Sequence, residues 1–321
     1  MELRRAGRSG LILSVIGLGT LTWGRDTDEF EAHDQVDALL AAGGNWVDTA
    51  GAHGDGAAEQ LLGQVIANVG RDQLVVSSRS GGAGATGSLS RKAVRSELEA
   101  SLRRLRLDHL DVWQLAGPDG ATPLEEVAAT LDLVLGSGLA SYVAVGNLPA
   151  WQLAAIHTRM ERRESLVLGH YEYSLLQREA EDDVVAATAA LGVGLVAWSP
   201  LGRGVLSGKY RRSVPPDSRA ASPHLGAFTR ERMGEVARPI VEAVVAAADG
   251  LGVTPTEIAL AWAISQPGVT SALTGARTVG QLQVALRAAT LDFPSQVREA
   301  LSEVSATAAR YPTSAWQLRR T

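Results

Sequence analysis

Short apolar runs of strand type alternate with amphipathic helical stretches along this whole chain, and no other feature limits its fold as tightly. The strand-type runs are Val15–Leu18, Trp46–Asp48, Leu74–Ser77, Leu110–Leu115, Tyr142–Val145, Leu166–His170, Leu195–Trp198 and Ser271–Thr274. Glu29–Ala42, Ala57–Asn68, Arg91–Leu105, Pro123–Leu135, Ala150–Arg162, Glu181–Leu191, Arg232–Leu251 and Val279–Ala288 carry the helical period and follow them in turn. Such alternation calls for parallel strands, because each helix returns the chain to the end of the sheet where the next strand begins. Strands apolar on both faces belong inside a helical layer. The expected class is therefore α/β, a (β/α)8 TIM barrel, which takes roughly 250 residues. The surplus lies in the first 12 residues, read as an N-terminal β-hairpin, in the loop Ser199–Thr229, and in a C-terminal helical extension. No linker, low-complexity stretch or repeat divides the chain, so residues 1–321 read as a single domain.

Charge and composition remove several function classes. The net charge is −5 and the basic residues are scattered, whereas a nucleic-acid surface needs a clustered basic patch. No apolar run reaches the roughly 18 residues of a membrane span. Arg4, Arg5 and Arg8 before Leu11–Leu21 loosely imitate a secretion signal, but Gly17, Gly19 and Thr20 interrupt the run and no small-residue cleavage site follows. There are no cysteines, which excludes disulfides, thiolate catalysis and cysteine-ligated metals. With no export signal the cytoplasm is the default location, a small molecule the expected partner, and homo-oligomerisation stays open. Lys92 and Lys209 are the sequence's lysines and every other cationic side chain is arginine.

Barrels of this kind hold their chemistry at the C-terminal ends of the strands. That rule picks out Asp48, Arg79, Ala116, Asn147, His170, Ser199 and Gly275. Gly82-Ala-Gly-Ala-Thr-Gly87 matches the dinucleotide fingerprint G-x-G-x-x-G, with Asp108 further on, but that motif needs a helix starting inside the glycine run. Ser88–Ser90 intervene here, so a flexible loop fits better. Ser199-Pro-Leu-Gly-Arg-Gly-Val-Leu-Ser-Gly-Lys-Tyr210 is a stronger signal. Its glycines let backbone amides approach an anion, and Lys209 adds a point charge. Gly275-Ala-Arg277, ahead of a helix, offers a second phosphate position through Arg277 and helix-terminal amides. No H-x-x-H or comparable spacing supports a metal, and His33, His109, His157 and His224 read as surface or packing residues.

The segments Gly17-Leu-Gly-Thr20, Val47-Asp-Thr-Ala50, Ser101-Leu-Arg-Arg-Leu105 with Leu110-Asp111, Ser199–Tyr210 and Leu273-Thr-Gly-Ala-Arg277 occur in order. Together they resemble the aldo-keto reductase family, in the version shared by bacterial members and potassium-channel β subunits. The resemblance runs from about residue 10 to 290. It implies NADP(H) lying extended across the barrel mouth and carbonyl reduction by hydride transfer without metal. Trp198 then corresponds to the aromatic that stacks on the nicotinamide. Ser199, Pro200, Leu201, Gly202, Gly204 and Lys209 correspond to the pyrophosphate loop, and Gly275, Arg277 and Gln281 to the adenosine 2′-phosphate end. Thr20 joins this cofactor set, and Asn147 sits where the family holds the nicotinamide amide. The family's serine before that asparagine is Gly146 here, its carboxamide-binding glutamine is His170, and its Glu-Asn pair near adenine is Val284-Ala285. These losses remove hydrogen bonds of about 0.5–1.5 kcal/mol each, which reduces cofactor affinity without abolishing it.

The resemblance also implies a catalytic set of Asp, Tyr, Lys and His, and here the sequence departs from it. Asp48 is kept; His53, Arg79 and Ala116 occupy the tyrosine, lysine and histidine positions. A lysine in such a set lowers a tyrosine pKa from about 10, whereas a histidine starts near 6.5 and needs no such help. The expectation is that His53 donates a proton near neutral pH, with a pKa between about 6 and 8 given Asp48 nearby. Asp48 and Arg79 would form a fixed ion pair below it, and Ala116 would open space for a bulkier substrate. Two alternatives stand beside this altered oxidoreductase: a nucleotide-binding protein without turnover, and a non-redox lyase or isomerase.

Overall fold

The computed structural model describes residues 1–80 and 89–308. The glycine run at 82–87 lies outside the described residues. A hairpin opens the chain, β1 (Leu3–Arg5) pairing antiparallel with β2 (Ile12–Ser14). The barrel strands follow: β3 (Ile16–Gly19), β4 (Trp46–Asp48), β5 (Val75–Ser80), β6 (Leu110–Leu115), β7 (Ala140–Gly146), β8 (Leu166–Glu172), β9 (Gly194–Trp198) and β10 (Val269–Thr274). They pair in chain order and β10 closes on β3, so the barrel is parallel throughout. Around it lie α1 (Glu29–Ala41), α2 (Ala57–Val69), α3 (Arg91–Leu105), α4 (Leu124–Gly136), α5 (Ala150–Arg159) and α6 (Val184–Leu191). The outer layer continues with α7 (Gly226–Arg230), α8 (Ala237–Leu251), α9 (Pro255–Ile264), α10 (Val279–Arg287) and α11 (Ser295–Val304).

The barrel closes because its strands carry two apolar faces. Residues pointing outward meet the helices, and Val36, Leu62, Leu98, Leu131 and Leu153 on five of those helices are buried against them. The alternate residues fill the interior, where Trp46, Val112, Ala144, Leu168, Val196 and Leu273 form a second cluster. Ala6 and Leu13 of the hairpin join that cluster from below, so the hairpin plugs the N-terminal end. Higher in the barrel the interior positions turn polar. Asp48 pairs in register with Ser77, Arg79 with Gln114, Gly146 with His170, and Glu172 with Trp198. The polar layer thus sits at the strands' C-terminal ends, where the loops build the mouth.

The eight helices expected from periodicity all form, with ends moved by up to five residues. The largest move is in α8, which begins at Ala237 rather than Arg232. Periodicity does not reveal α9. Its residues Glu257 to Ile264 are all buried, so it has no polar face to mark. Its start is nonetheless written in the sequence: Thr254 and Glu257 form a reciprocal capping box around Pro255. Trp262 of α9 donates to Ser302 Oγ at 2.9 Å, which ties the C-terminal α11 to the barrel's outer layer. No single helix among the described residues is long and apolar enough to cross a membrane.

Candidate active site

β4 and β5 deliver the charged pair. Asp48 is 1% exposed at the end of β4. Its Oδ1 accepts from Ser77 Oγ at 2.7 Å and its Oδ2 from Arg79 Nη2 at 2.7 Å. Burial pushes the Asp48 carboxyl above its usual range, against the opposing pull of the Arg79 charge and the Ser77 hydrogen bond. The ion pair expected from the sequence is therefore present.

His53 reaches this pair from the turn after β4. Gly54, Asp55 and Gly56 all have positive φ, which coils the chain tightly before α2. Beneath the turn lies Arg104 of α3, whose Nε bonds Glu59 Oε2 at 2.5 Å; Glu59 is fully buried and also accepts from Ser78 Oγ at 2.5 Å. A Cβ on Gly56 would stand 2.6 Å from Arg104 Cδ, and one on Gly51 would stand 2.7 Å from Arg104 Nη2. Only glycines let the turn settle onto the arginine. The sequence reading met Arg104 only as part of the Ser101–Leu105 segment and passed over Glu59; together they join the His53 turn to β5.

His53 is 9% exposed. Thr20 Oγ1 donates to Thr49 Oγ1 at 2.8 Å, so its contact with His53 Nδ1 at 3.2 Å is one in which the ring N–H donates. His53 Nε2 then carries the lone pair, 3.5 Å from Arg79 Nη2. Burial, with the charges of Arg79 and Arg25, pushes the His53 pKa down to about 3. The expected value between 6 and 8 is corrected accordingly: Asp48 is spent on Arg79, and the nearest charge to the imidazole is a cation. Thr20, which the sequence also points to for the cofactor set, orients the His53 ring.

Ala116 is half-buried just past the end of β6. Its carbonyl accepts from Asn147 Nδ2 at 2.8 Å, and Asn147 Oδ1 accepts from Trp198 Nε1 at 3.1 Å. Asn147 thus pins the indole at the end of β9, with φ +53° at the asparagine itself. His170 is fully buried, edge-on to Trp46 at 6.0 Å between centroids, and neither ring nitrogen has a partner. Burial and the Arg79 charge hold its pKa well below the ordinary 6.5.

On the opposite side of the mouth, Ser199, Gly202, Arg203, Gly204 and Gly208 all have positive φ. Three of them, Gly202, Arg203 and Gly204, are consecutive, which coils the chain tightly after β9. The amides of Gly202, Gly204, Leu206 and Gly208 bond to carbonyls of the same loop. Attraction for an anion is left mainly to side chains. Pro200 is buried and Leu201 half-buried in this turn, while Lys209 is exposed near Gly204. Arg203, in contrast, turns inward. It bonds both carboxylate oxygens of Glu172 at 2.8 Å, as well as Phe228 O at 2.7 Å and Glu231 at 2.6 Å, and it stacks on the Phe228 ring. Arg232 joins from the far end of the long loop. Burial works against ionising Glu172, but the two arginines outweigh it and hold its carboxyl below the usual range.

At the third corner Gly275 is exposed, with a Cβ position 3.0 Å from Gly19 O, and Arg277 is half-buried. Gln281 Oε1 caps the Arg277 amide at 3.0 Å, and Glu31 Oε2 accepts from the Val279 amide at 2.6 Å. The helix-terminal amides expected for a phosphate are thus partly engaged. Arg219, missed in the sequence, comes in from the long loop as part of Pro215-Pro-Asp-Ser-Arg219. Burial lowers its pKa, Tyr210 opposes that, and the charge of Arg277 adds to it, which places two guanidiniums in one neighbourhood. Among the described residues neither has a carboxylate within 4.0 Å. No described group of His, Asp and Glu could hold a metal ion.

The aldo/keto reductase family profile matches residues 15–306. The chain is 32% identical over 322 residues to "Uncharacterized oxidoreductase YrpG" of Bacillus subtilis, covering 95% of this chain and 96% of that one. It is 33% identical over 299 residues to a "Probable voltage-gated potassium channel subunit beta" of Arabidopsis thaliana, covering 90% and 91%. The protein of the same name in rice, Oryza sativa subsp. japonica, is 33% identical over 292 residues, covering 88% and 89%. With an aspartate–cation pair at the ends of β4 and β5, a glycine turn after β9, an arginine after β10, and a profile match over nearly its whole length, the chain belongs to the aldo/keto reductase family.

Proposed function

We propose that this protein is an NADP(H)-dependent oxidoreductase acting on a small alcohol or carbonyl compound through an altered proton-transfer site. One observation carries the reading: Asp48, Arg79 and His53 converge into a single hydrogen-bonded unit at the barrel mouth. The residues around the mouth fit the nucleotide. Two arginines without carboxylate partners, with Lys209, suit a pyrophosphate and a 2′-phosphate, and Trp198 offers a fixed indole beside them. NADP(H), when bound, supplies or takes up the hydride.

The proton is the protein's task. His53 is neutral at physiological pH, with its N–H committed to Thr20 and its Nε2 lone pair facing Arg79 Nη2 at 3.5 Å, a long contact that a substrate hydroxyl would replace. That arrangement suits taking a proton from a substrate hydroxyl better than giving one to a carbonyl. Arg79 keeps its charge and, held by Asp48, stabilises the oxygen that loses the proton. Ala116 in place of an imidazole leaves room beside that oxygen.

The test combines binding and turnover. Titration with NADPH and NADH, then a screen of alcohols with NADP+ and of carbonyl and imine compounds with NADPH, should give turnover on at least one class. His53→Ala should lower that turnover about 10²–10⁴-fold, the range for losing a general acid or base, while NADPH affinity stays within about twofold. Unchanged turnover would remove His53 from the reaction. A second reading, nucleotide binding without turnover, draws on the same ring: a base pushed to about 3 is weak. Tight NADPH binding with no turnover in the screen favours it.

A further inference from the structure

Gln114 stands on β6 in register between Arg79 and Ala144, and it points into the barrel on the same side as Val112 and Ala144 of the interior cluster. It is 1% exposed, and its Oε1 has no hydrogen-bond partner. Its Nε2 lies 2.7 Å from where a Cβ on Gly146 would be, with Ala116 O and His170 O at 3.1 and 3.2 Å from the same point. A side chain at position 146 and this amide cannot share the space. Glycine at 146 therefore admits the glutamine's amide to the place where the family resemblance implies a serine hydroxyl.

Next to Gly146 in register is His170, fully buried with both ring nitrogens unpartnered. Buried polar groups are normally satisfied, so these two side chains mark a position built for something polar. Asn147, the residue expected to serve a nicotinamide amide, has Nδ2 on Ala116 O and Oδ1 under the Trp198 indole. The group wanted at this position must both donate and accept, and it must be small and uncharged to enter a layer already holding Arg79.

We infer that Gln114, beside His170, forms a buried amide-recognition site that takes the carboxamide of a nicotinamide ring. Gln114 Oε1 accepts from the carboxamide NH2 and its Nε2 donates to the carboxamide oxygen, a matched amide–amide pair. His170, kept neutral by burial, adds one donor and one acceptor. The inference rests on the nucleotide-binding reading above and adds the residue that reads the ring.

The purified full chain is titrated by calorimetry with three probes: NADP+, its 3-acetylpyridine analogue, in which a methyl group replaces the NH2, and adenosine 2′,5′-bisphosphate, which lacks the ring. Gln114→Leu should raise the Kd for NADP+ about 3–10-fold, as expected for one or two lost hydrogen bonds. Affinity for the analogue should fall less, and that for the bisphosphate should stay within about twofold. Gly146→Ala, whose Cβ displaces the Gln114 amide, should produce the same pattern and serves if the leucine variant does not fold. Equal losses for NADP+ and the analogue, or no loss for either, overturn the assignment to Gln114. Failure of the unaltered protein to bind NADP+ and the bisphosphate overturns the nucleotide reading itself.

Discussion

The two sides of the barrel mouth treat charge in opposite ways. At the β4–β5 corner the buried carboxylates have partners within the chain: Asp48 with Arg79 and Ser77, Glu59 with Arg104 and Ser78. On the side of the long loop, Arg219 and Arg277 share a neighbourhood in which Asp26 acts on Arg219 from a distance, and among the described residues neither arginine has a carboxylate within 4.0 Å. A closed network in a low-dielectric site fixes geometry and suppresses titration. Unmatched cations at a mouth cost stability and are kept where an anion can use them. The first corner is built for orientation and the second for capture. The cluster of Glu172, Arg203 and Arg232 sits between these regimes: with Glu231 on Arg203 its charges balance, and it fastens the long loop over the barrel.

The largest effect should come from opening the closed corner. Arg79→Met leaves the Asp48 carboxylate buried beside a thioether, and breaking such a pair costs about 3–5 kcal/mol. Chemical denaturation at pH 7 should show this loss, and it should shrink at pH 5 because an unpaired Asp48 takes up a proton there. A loss under about 1 kcal/mol at pH 7 would mean that the corner is wetter than its burial implies.

Acid should also distinguish this corner. Its His53 has a folded pKa of about 3 against an ordinary 6.5, and His170 is lowered well below the same value. Below about pH 6.5 the unfolded chain binds these protons and the folded chain does not. Stability is therefore complete above that pH and falls below it, by about 1.4 kcal/mol per pH unit toward pH 3 for His53, with His170 acting in the same direction. Denaturation midpoints between pH 7.5 and 5 should show a shallower slope in His53→Asn than in the parent. Identical slopes would show that His53 titrates normally.

Capture is tested on the other side. Arg277→Ala should weaken NADPH binding about tenfold, the loss of one charge-assisted contact, while NADH binding barely moves. Equal losses would show that Arg277 does not read the 2′-phosphate. The smallest expected effect belongs to Glu31, whose carboxylate holds the first amide of α10. Glu31→Gln removes a negative charge from a helix N-terminus beside Arg277, and NADPH should bind about 2–5-fold more tightly, the range of such helix-end charges. Weaker NADPH binding in this variant would assign Glu31 to cofactor support instead.

The strand–helix alternation determined the barrel, and with it the ends of β4, β5, β6 and β9 where Asp48, Arg79, Ala116 and Trp198 stand. Local pattern suffices for this, because a period of two or 3.6 residues and a capping residue are properties of neighbouring positions. The glycine turn after β9 was legible for the same reason, since its φ values depend on the residues that occupy it. The pKa of His53 was not legible. It depends on how deeply the ring is buried and on Arg79 and Arg25, 26 residues after it and 28 before it, and only folding sets those distances. Nor could sequence show that Arg203 would face Glu172 rather than solvent, that Arg219 would reach Arg277, or that the Gln114 amide would fill the space left by Gly146. Each of these joins elements distant in the chain, and burial and electrostatics follow from what lies close in space, which no local pattern encodes.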